Sequence, residues 1–179
     1  MHLVIPARLG STRLPRKPLV EIAGKPMIVW VAERASLVVA DDLIVAVDDQ
    51  EVMDVVRQHG FECLLTSKGH RSGSDRVLEV ASELGWKDED VLVNVQGDEP
   101  LLPTDIVNKL ISFMKSDEDS GIEFATVSEP LSDQSDFENP NCVKVVTDRD
   151  GAALYFSRAP IPFSRDQGVS EASSNGEYN

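Results

Sequence analysis

Apolar runs alternate with amphipathic segments along the first two thirds of the chain. Short continuous apolar runs are typical of strands buried on both faces of a sheet, and apolar residues at helical spacing are typical of helices packed on it. The predicted strands are His2–Ala7, Leu43–Val47, Phe61–Leu65, Val91–Val95, Phe124–Ser128, Val143–Thr147 and Ala153–Phe156. The predicted helices are Pro26–Leu37, Gln50–His59, Ser74–Leu84 and a segment from Thr104 or Asp105 to Lys115.

This alternation predicts an α/β fold with a mostly parallel sheet and helices on both faces. We expect one domain over residues 1–163. Residues 164–179 are polar and rich in Ser, Asn and Gly, so we expect a flexible tail or loop there.

Two polar turns, residues 8–17 and 96–99, follow the two strongest predicted strands. In open parallel sheets, ligands bind beyond the carboxyl ends of the strands. Both turns would lie at that edge, so the sequence predicts a ligand site between them.

The net charge of −14 is unevenly distributed. Residues 1–25 contain five basic residues and one acidic residue, so the rest of the chain is strongly acidic. An acidic body argues against DNA or RNA as a partner but permits a small nucleotide held by a local basic loop.

The same sequence contains no apolar run long enough to span a bilayer and no signal-peptide pattern at its N-terminus, so we expect a cytoplasmic protein without membrane contact. Cys63 and Cys142 lie in apolar contexts, and we expect two buried thiols in a reducing compartment rather than a disulfide.

The turn PARLGSTRLPRKP carries Arg8, Arg13 and Lys17 at a spacing that lets one loop converge on one anion. Gly and Ser in the same loop permit close approach of backbone N–H donors to a polyphosphate. The alternative is a solvated basic turn stiffened by prolines. The loop matches neither the Walker A nor the GxGxxG pattern.

The second turn, VNVQGDEP, places Asp98 just beyond a buried strand, where its carboxylate could hold Mg²⁺, a cation that takes oxygen ligands. Glu99 is a lesser candidate, because adjacent side chains diverge. The alternative is a turn whose acidic residues cap the following helix.

Two further motifs carry candidate substrate ligands. In HRSGSDR, Ser72, Gly73 and Ser74 open a helix whose N-terminus favours anions or sugar hydroxyls, and Arg76 follows one turn later. An ordinary N-cap explains that motif equally well. In ALYFSRAPIPF, Arg158 could grip a carboxylate bidentately, or it could form a structural ion pair in a rigid turn.

Together, IPARLGSTRLPRKPL, HRSGSDR, VNVQGDEP, NPNCVKVVTD and ALYFSRAPIPF resemble, in order and spacing, the CMP-Kdo synthetases, the 3-deoxy-manno-octulosonate (Kdo) cytidylyltransferases of lipopolysaccharide biosynthesis. The resemblance covers about residues 2–166. It implies a Rossmann-like nucleotidyltransferase fold, a homodimer, and Mg²⁺-dependent attack of Kdo on the α-phosphate of CTP with release of pyrophosphate.

Residue roles follow from the same resemblance. Arg8, Arg13 and Lys17 would bind the triphosphate, and Arg158 would meet the sugar acid. Asp98 would ligate Mg²⁺, and Gln96 would lie close to the reacting groups. The residues that would surround the cytidine are Pro6, Ala7, Ser72, Gly73, Ser74 and Arg76.

The resemblance also implies a further C-terminal third that would bring a second metal-binding Asp, more sugar-acid ligands and dimer contacts. None of these is found before Asn179, so we expect a C-terminally incomplete fold and little or no turnover from this chain. The alternatives are a CMP-sialate-type transferase, a non-catalytic nucleotide-binding remnant, and a structural α/β domain with a basic turn.

Overall fold

A computed structural model describes residues 1–10, 14–116 and 121–163. The chain divides into two compact units, residues 1–125 and the part that begins at Thr126. The expected domain limits stay a prediction, and the expected tail lies outside the described residues.

The helices and strands, in chain order, are β1 (His2–Ala7), a 3₁₀ helix (Lys17–Leu19), β2 (Glu21–Ile22), β3 (Lys25–Pro26), α1 (Met27–Ala35), β4 (Asp42–Val47), α2 (Gln50–Gln58), β5 (Glu62–Leu65), α3 (Gly73–Leu84), β6 (Leu92–Asn94), α4 (Thr104–Ser116), α5 (Gln134–Glu138), β7 (Lys144–Thr147) and β8 (Ala153–Ser157).

The first unit is built on a four-stranded sheet in the order β5-β4-β1-β6, and every neighbouring pair of strands is parallel. Val4 in β1 lies opposite Ile44 in β4 and Asn94 in β6. β1 is therefore a central strand, and the chain leaves it at the edge where β4, β5 and β6 also end. The predicted parallel α/β fold is confirmed.

Helices cover both faces of this sheet. Alternate residues of β1, such as Leu3 and Ile5, pack in a core that also contains buried residues of α1, α2 and α4. Val4 points to the opposite face and packs in a second cluster with Val77 and Val80 of α3. The alternation follows from the two-residue period of a strand, which sends successive side chains to opposite faces.

Local capping signals fix the helix ends close to their predicted positions. The Asp49 side chain accepts a hydrogen bond from the Glu51 N–H at 3.0 Å and caps α2. Ser72 and Asp75 form a reciprocal capping box at the start of α3. Gly85 ends α3 with φ of 66°, a left-handed conformation that glycine adopts without a steric penalty.

The strand predicted over 124–128 is wrong, because no strand is formed there. Phe124 and Val127 are exposed, and in the described part of the chain no ladder pairs with the segment. A strand needs a neighbour for its backbone hydrogen bonds, which an apolar pattern alone does not supply. The short helix α5 was not predicted; Asp133 caps it by accepting from the Ser135 N–H at 2.8 Å.

The second unit contains the antiparallel pair β7–β8. Both strands were predicted within a residue at each end, but their pairing was not. Lys144, at the start of β7, is almost fully buried. Its ammonium donates to the carbonyl oxygens of Asn139, Cys142 and Arg158 at 2.7–2.9 Å. These three bonds join the turn before β7 to the residue that follows β8.

Both cysteines are free thiols, as predicted. Cys63 is buried, but Cys142 is only half-buried, so the predicted burial is wrong for Cys142. Burial raises the pKa of the Cys63 thiol to about 12, so its nucleophilic thiolate is scarce at neutral pH.

We expect iodoacetamide to modify Cys142 in the native protein while Cys63 reacts only after denaturation in urea. Peptide mass spectrometry would measure this, and comparable rates at both sites in native buffer would contradict the burial of Cys63.

No helix of the described residues is both long enough and apolar enough to cross a bilayer.

Candidate active site

The basic turn after β1 and the acidic turn after β6 meet at the carboxyl edge of the sheet. The Lys17 ammonium lies in direct contact with the Asp98 carboxylate, although the two residues are 81 positions apart in the sequence. Both side chains are more than a third exposed. The predicted approach of a loop cation to the candidate metal ligand is confirmed for this pair.

Close backbone packing holds the acidic turn against the end of β1. A Cβ atom at Gly97 would lie 2.8 Å from the Pro6 carbonyl oxygen and 3.1 Å from the Ala7 Cβ. A Cβ atom at Gly73 would lie 3.2 Å from the Pro6 ring. Pro6 and Ala7 are thus buried between the turn that follows β6 and the start of α3.

Replacing Gly97 by Ala tests this packing. The added methyl group would clash with backbone that cannot move independently, so we expect Gly97→Ala to lower the free energy of unfolding by about 1–3 kcal/mol. Gly10→Ala is the matched control, because nothing lies within 4 Å of a Cβ atom there. Urea denaturation measures both variants, and equal stability of the two would contradict the close approach at Gly97.

The other predicted phosphate ligands differ in their surroundings. Arg8 immediately follows β1 and is exposed. Arg13 lies outside the described residues. Arg16, which was not among the predicted ligands, pairs with Glu51 of α2 and has a left-handed backbone conformation with φ of 57°.

Gln96 is exposed at the same edge, and its side-chain amide donates to the Asn94 Oδ1 at 3.3 Å.

The HRSGSDR motif opens α3, and the ordinary N-cap explanation is confirmed for Ser72. Its hydroxyl accepts from the Asp75 N–H at 3.1 Å. Hydrogen bonding of the Asp75 carboxylate to the Ser72 side chain and to the Ser72 backbone N–H holds the pKa of that carboxyl below its usual value. Ser74 is exposed in the first turn of the helix. The motif's capping role leaves any contact of Ser72, Gly73 and Ser74 with a substrate a prediction.

Arg76 lies in a different environment from the one expected of a cytidine ligand. It is 4% exposed, and its guanidinium donates to the Thr66 hydroxyl and to Asp48 Oδ2, the latter at 3.4 Å. Asp48 Oδ1 in turn accepts from the Leu9 backbone N–H at 2.9 Å. Sequence analysis named neither Asp48 nor Thr66 as a site residue, although Asp48 carries the signal that pointed to Asp98, an Asp directly after a buried strand.

A cavity of about 450 Å³ lies between the loops that follow β1, β4 and β5. It borders the turn that carries the predicted phosphate ligands, and both cations and carboxylates line it. The lining residues are Leu9, Gly10, Pro15, Arg16, Asp48, Asp49 and Lys68.

The loop that follows β5 is tied to α3 beside this cavity. Glu79 accepts two bonds from the Ser67 N–H, at 3.0 and 3.1 Å, and contacts the His70 ring. The hydrogen bond from His70 and the bond from Ser67 lower the pKa of Glu79.

In the second unit, Arg158 directly follows β8 and is exposed, and its guanidinium donates to the Pro140 carbonyl oxygen at 2.8 Å. This bond fixes the turn that carries Arg158, together with the bond that the Lys144 ammonium donates to the Arg158 carbonyl oxygen.

Asp98 is the predicted metal ligand among the described residues. They contain no cluster of three or more His, Cys, Asp or Glu side chains that could enclose a metal. An exposed Asp beside a basic turn that is predicted to bind phosphate suits Mg²⁺, which is often held by one or two carboxylates together with substrate phosphates and water. Asp98 fits such a site.

The parallel sheet, the basic turn after its first strand and the carboxylate after β6 define an α/β protein of the nucleotidyltransferase type. A family model described as Cytidylyltransferase matches residues 2–172. The chain belongs to the cytidylyltransferase family.

Individual relatives agree with this assignment. The chain is 53% identical over 165 residues to a 3-deoxy-manno-octulosonate cytidylyltransferase of Saccharophagus degradans, an alignment that covers 92% of this chain and 64% of the relative. It also resembles the structure of a CMP:2-keto-3-deoxy-manno-octonic acid synthetase complexed with CTP, with a TM-score of 0.81 and 41% identity, covering 92% of this chain and 66% of that one.

A 4-diphosphocytidyl-2C-methyl-D-erythritol synthase shares the fold, with a TM-score of 0.58 and 16% identity over 87% of this chain and 70% of the other. The alignment with the Saccharophagus degradans protein shows that this chain spans less than two thirds of the length of that relative.

Proposed function

We propose that the protein is a Mg²⁺-dependent cytidylyltransferase that transfers CMP from CTP to Kdo and releases pyrophosphate. One observation carries the proposal: Lys17 and Asp98 come into contact at the carboxyl edge of a parallel sheet. This contact supports the proposal because it brings together the cation that would bind phosphate and the carboxylate that would bind the metal. The identity to a curated Kdo cytidylyltransferase supports the choice of nucleotide and sugar acid.

The triphosphate would lie along the turn after β1. Arg8 and Lys17, and Arg13 in the same turn, would neutralise its charges, which otherwise oppose the binding of a polyanion to a protein of net charge −14. Pro6 and Ala7, with Ser72, Gly73 and Ser74, would border the cytidine, because the start of α3 packs directly on Pro6.

Asp98 would hold Mg²⁺, which when bound neutralises charge on the phosphates and stabilises the pyrophosphate leaving group. Because the Asp98 carboxylate would then bind Mg²⁺, the Lys17 ammonium would be released from it and would donate to phosphate oxygens. Gln96, exposed at the same edge, is suited to orient a reacting group by its side-chain amide.

The anomeric hydroxyl of Kdo would attack the α-phosphorus, and the bond from that phosphorus to the oxygen that links it to the β-phosphorus would break, so that pyrophosphate leaves with this oxygen. The hydroxyl proton would pass to solvent. Arg158 would bind the sugar carboxylate through its guanidinium. The protein's own contribution is positioning and charge neutralisation, which is the main requirement of phosphoryl-group chemistry.

We infer further that the whole protein acts in the cytoplasm in lipopolysaccharide biosynthesis and works as a homodimer. The chain of 179 residues should show little or no turnover, because it provides one of the two carboxylates that the family resemblance implies.

Calorimetric titration of this chain with CTP at millimolar concentration, with and without Mg²⁺, tests nucleotide binding. We expect heat of binding that increases when Mg²⁺ is present. A chain that binds no CTP under either condition would contradict the proposed function.

Pyrophosphate release by the full-length protein tests the reaction. We expect turnover with CTP, Mg²⁺ and Kdo, and little with N-acetylneuraminate as the sugar acid. Faster turnover with N-acetylneuraminate would instead identify a CMP-sialate-type transferase. Rapid turnover by the 179-residue chain itself would contradict only the expectation that this chain is weakly active.

A further inference from the structure

A series of buried and partly buried hydrogen bonds leads from α3 to the backbone of the basic turn. Its last bond joins Asp48 Oδ1 to the Leu9 N–H at 2.9 Å. Leu9 directly follows Arg8, and Ala7 on the other side is held in the sheet opposite Val47. The backbone on both sides of Arg8 is therefore fixed by β4 or by the residue that follows it.

This series of hydrogen bonds begins at the guanidinium of Arg76, which is almost inaccessible to solvent. Arg76 retains 5% of its side-chain exposure and Asp48 retains 13%. Besides Asp48, Arg76 binds the Thr66 hydroxyl, which itself donates to the Val47 carbonyl oxygen at 2.7 Å. Buried charges of this kind are stable only when they are paired and hydrogen-bonded, as they are here.

The position of Asp48 is unusual for a site that takes an anion. A carboxylate beside a triphosphate-binding turn repels the ligand, so its presence requires a compensating role. The Leu9 hydrogen bond provides that role, and the Arg76 guanidinium offsets the negative charge.

We propose that Asp48 is a positioning residue: it holds the Leu9 amide, and through it the backbone of Arg8, in the conformation that binds the triphosphate, while Arg76 neutralises its charge. This inference rests on the proposed function, because it specifies how the same site is preorganised. Asp48 acts through the turn and touches no reacting atom.

The Asp48→Ala variant separates positioning from simple electrostatics. Removing the carboxylate and leaving Arg76 unpaired both make the site more positive, so an electrostatic role alone predicts tighter binding of CTP. Positioning predicts the opposite sign. We expect the affinity for CTP to fall about three- to tenfold, which corresponds to the net contribution of one hydrogen bond, while the affinity for CMP changes little.

Calorimetry with CTP and with CMP as the probes gives the ratio of the two affinities. General loss of stability would weaken both nucleotides together, so a fall in the ratio reports the triphosphate-binding turn specifically. Asp42→Ala is the matched control, because Asp42 begins the same strand at the opposite edge and pairs there with His2. An unchanged ratio, or tighter binding of CTP by Asp48→Ala, would overturn the inference.

Amide hydrogen exchange gives a second test, which needs no nucleotide. In the unaltered protein, the Leu9 amide should exchange much more slowly than an unstructured amide, and Asp48→Ala should remove this protection. Exchange of Leu9 at the unstructured rate in the unaltered protein would overturn the inference. If the unaltered protein binds no CTP while Leu9 is protected, the proposed function fails but the hydrogen-bonded link stands.

Discussion

Lys17→Ala should weaken the binding of CTP by about 10- to 100-fold, with little change in the free energy of unfolding. The expected loss corresponds to one charge-assisted hydrogen bond to a phosphate, worth about 1.5–3 kcal/mol. The small effect on stability follows from exposure: Lys17 and Asp98 are both more than a third exposed, and surface ion pairs contribute about 0–1 kcal/mol.

The matched control for this substitution is Lys87→Ala. Lys87 is also paired with a carboxylate, that of Glu89 at 3.8 Å, but it lies in the turn that precedes β6, at the opposite edge of the sheet. It removes the same charge from the same acidic protein. Calorimetry should show normal CTP affinity for this control, and equal losses in both variants would mean that net charge alone determines binding.

Asp98→Asn should have the largest effect on catalysis, lowering turnover by the full-length protein about 100- to 1000-fold, which is the usual effect of removing one group that stabilises transition-state charge. An amide of the same shape cannot replace a carboxylate as a ligand to Mg²⁺. Pyrophosphate release at saturating CTP measures this loss.

The same variant should lose the response to Mg²⁺ that is expected of the unaltered protein. Without Mg²⁺ it should bind CTP at least as tightly, because a negative charge next to the phosphates is gone and Lys17 has lost its carboxylate partner. Addition of Mg²⁺ should not raise its affinity for CTP. Glu99→Gln is the control, since Glu99 is the adjacent exposed carboxylate; a larger loss there than in Asp98→Asn would transfer the metal-binding role to Glu99.

Features set by near neighbours in the sequence were predictable. The ends of α2 and α3 depend on Asp49, Ser72 and Gly85, whose capping geometry involves residues within a few positions. The strands β1 and β4 are continuous apolar runs, and their burial between two helical layers follows from that pattern. The contact of Lys17 with Asp98 followed from one further rule, that parallel strands end at a common edge.

Features that depend on partners distant in the sequence were not predictable. The pattern at residues 124–128 resembles a strand, but strand formation requires a neighbour that the pattern does not identify. Either Asp48 or Asp49 could have capped α2; the fold assigns the cap to Asp49 and places Asp48 beside Arg76, 28 positions away. Arginine is rarely buried unless it is paired, so the burial of Arg76 could not be inferred before its partner was known.

The most direct test of a common site for the basic turn, Asp98 and a metal-bound triphosphate is paramagnetic broadening by Mn²⁺–CTP. Amide resonances of this chain would be compared with Mn²⁺–CTP and with Mg²⁺–CTP as the diamagnetic reference. The account predicts broadening at Leu9, Gly10 and Gly97, with His2 and Asp90 at the opposite edge remaining sharp. Broadening confined to the His2 and Asp90 edge, or no broadening at millimolar nucleotide, would contradict it.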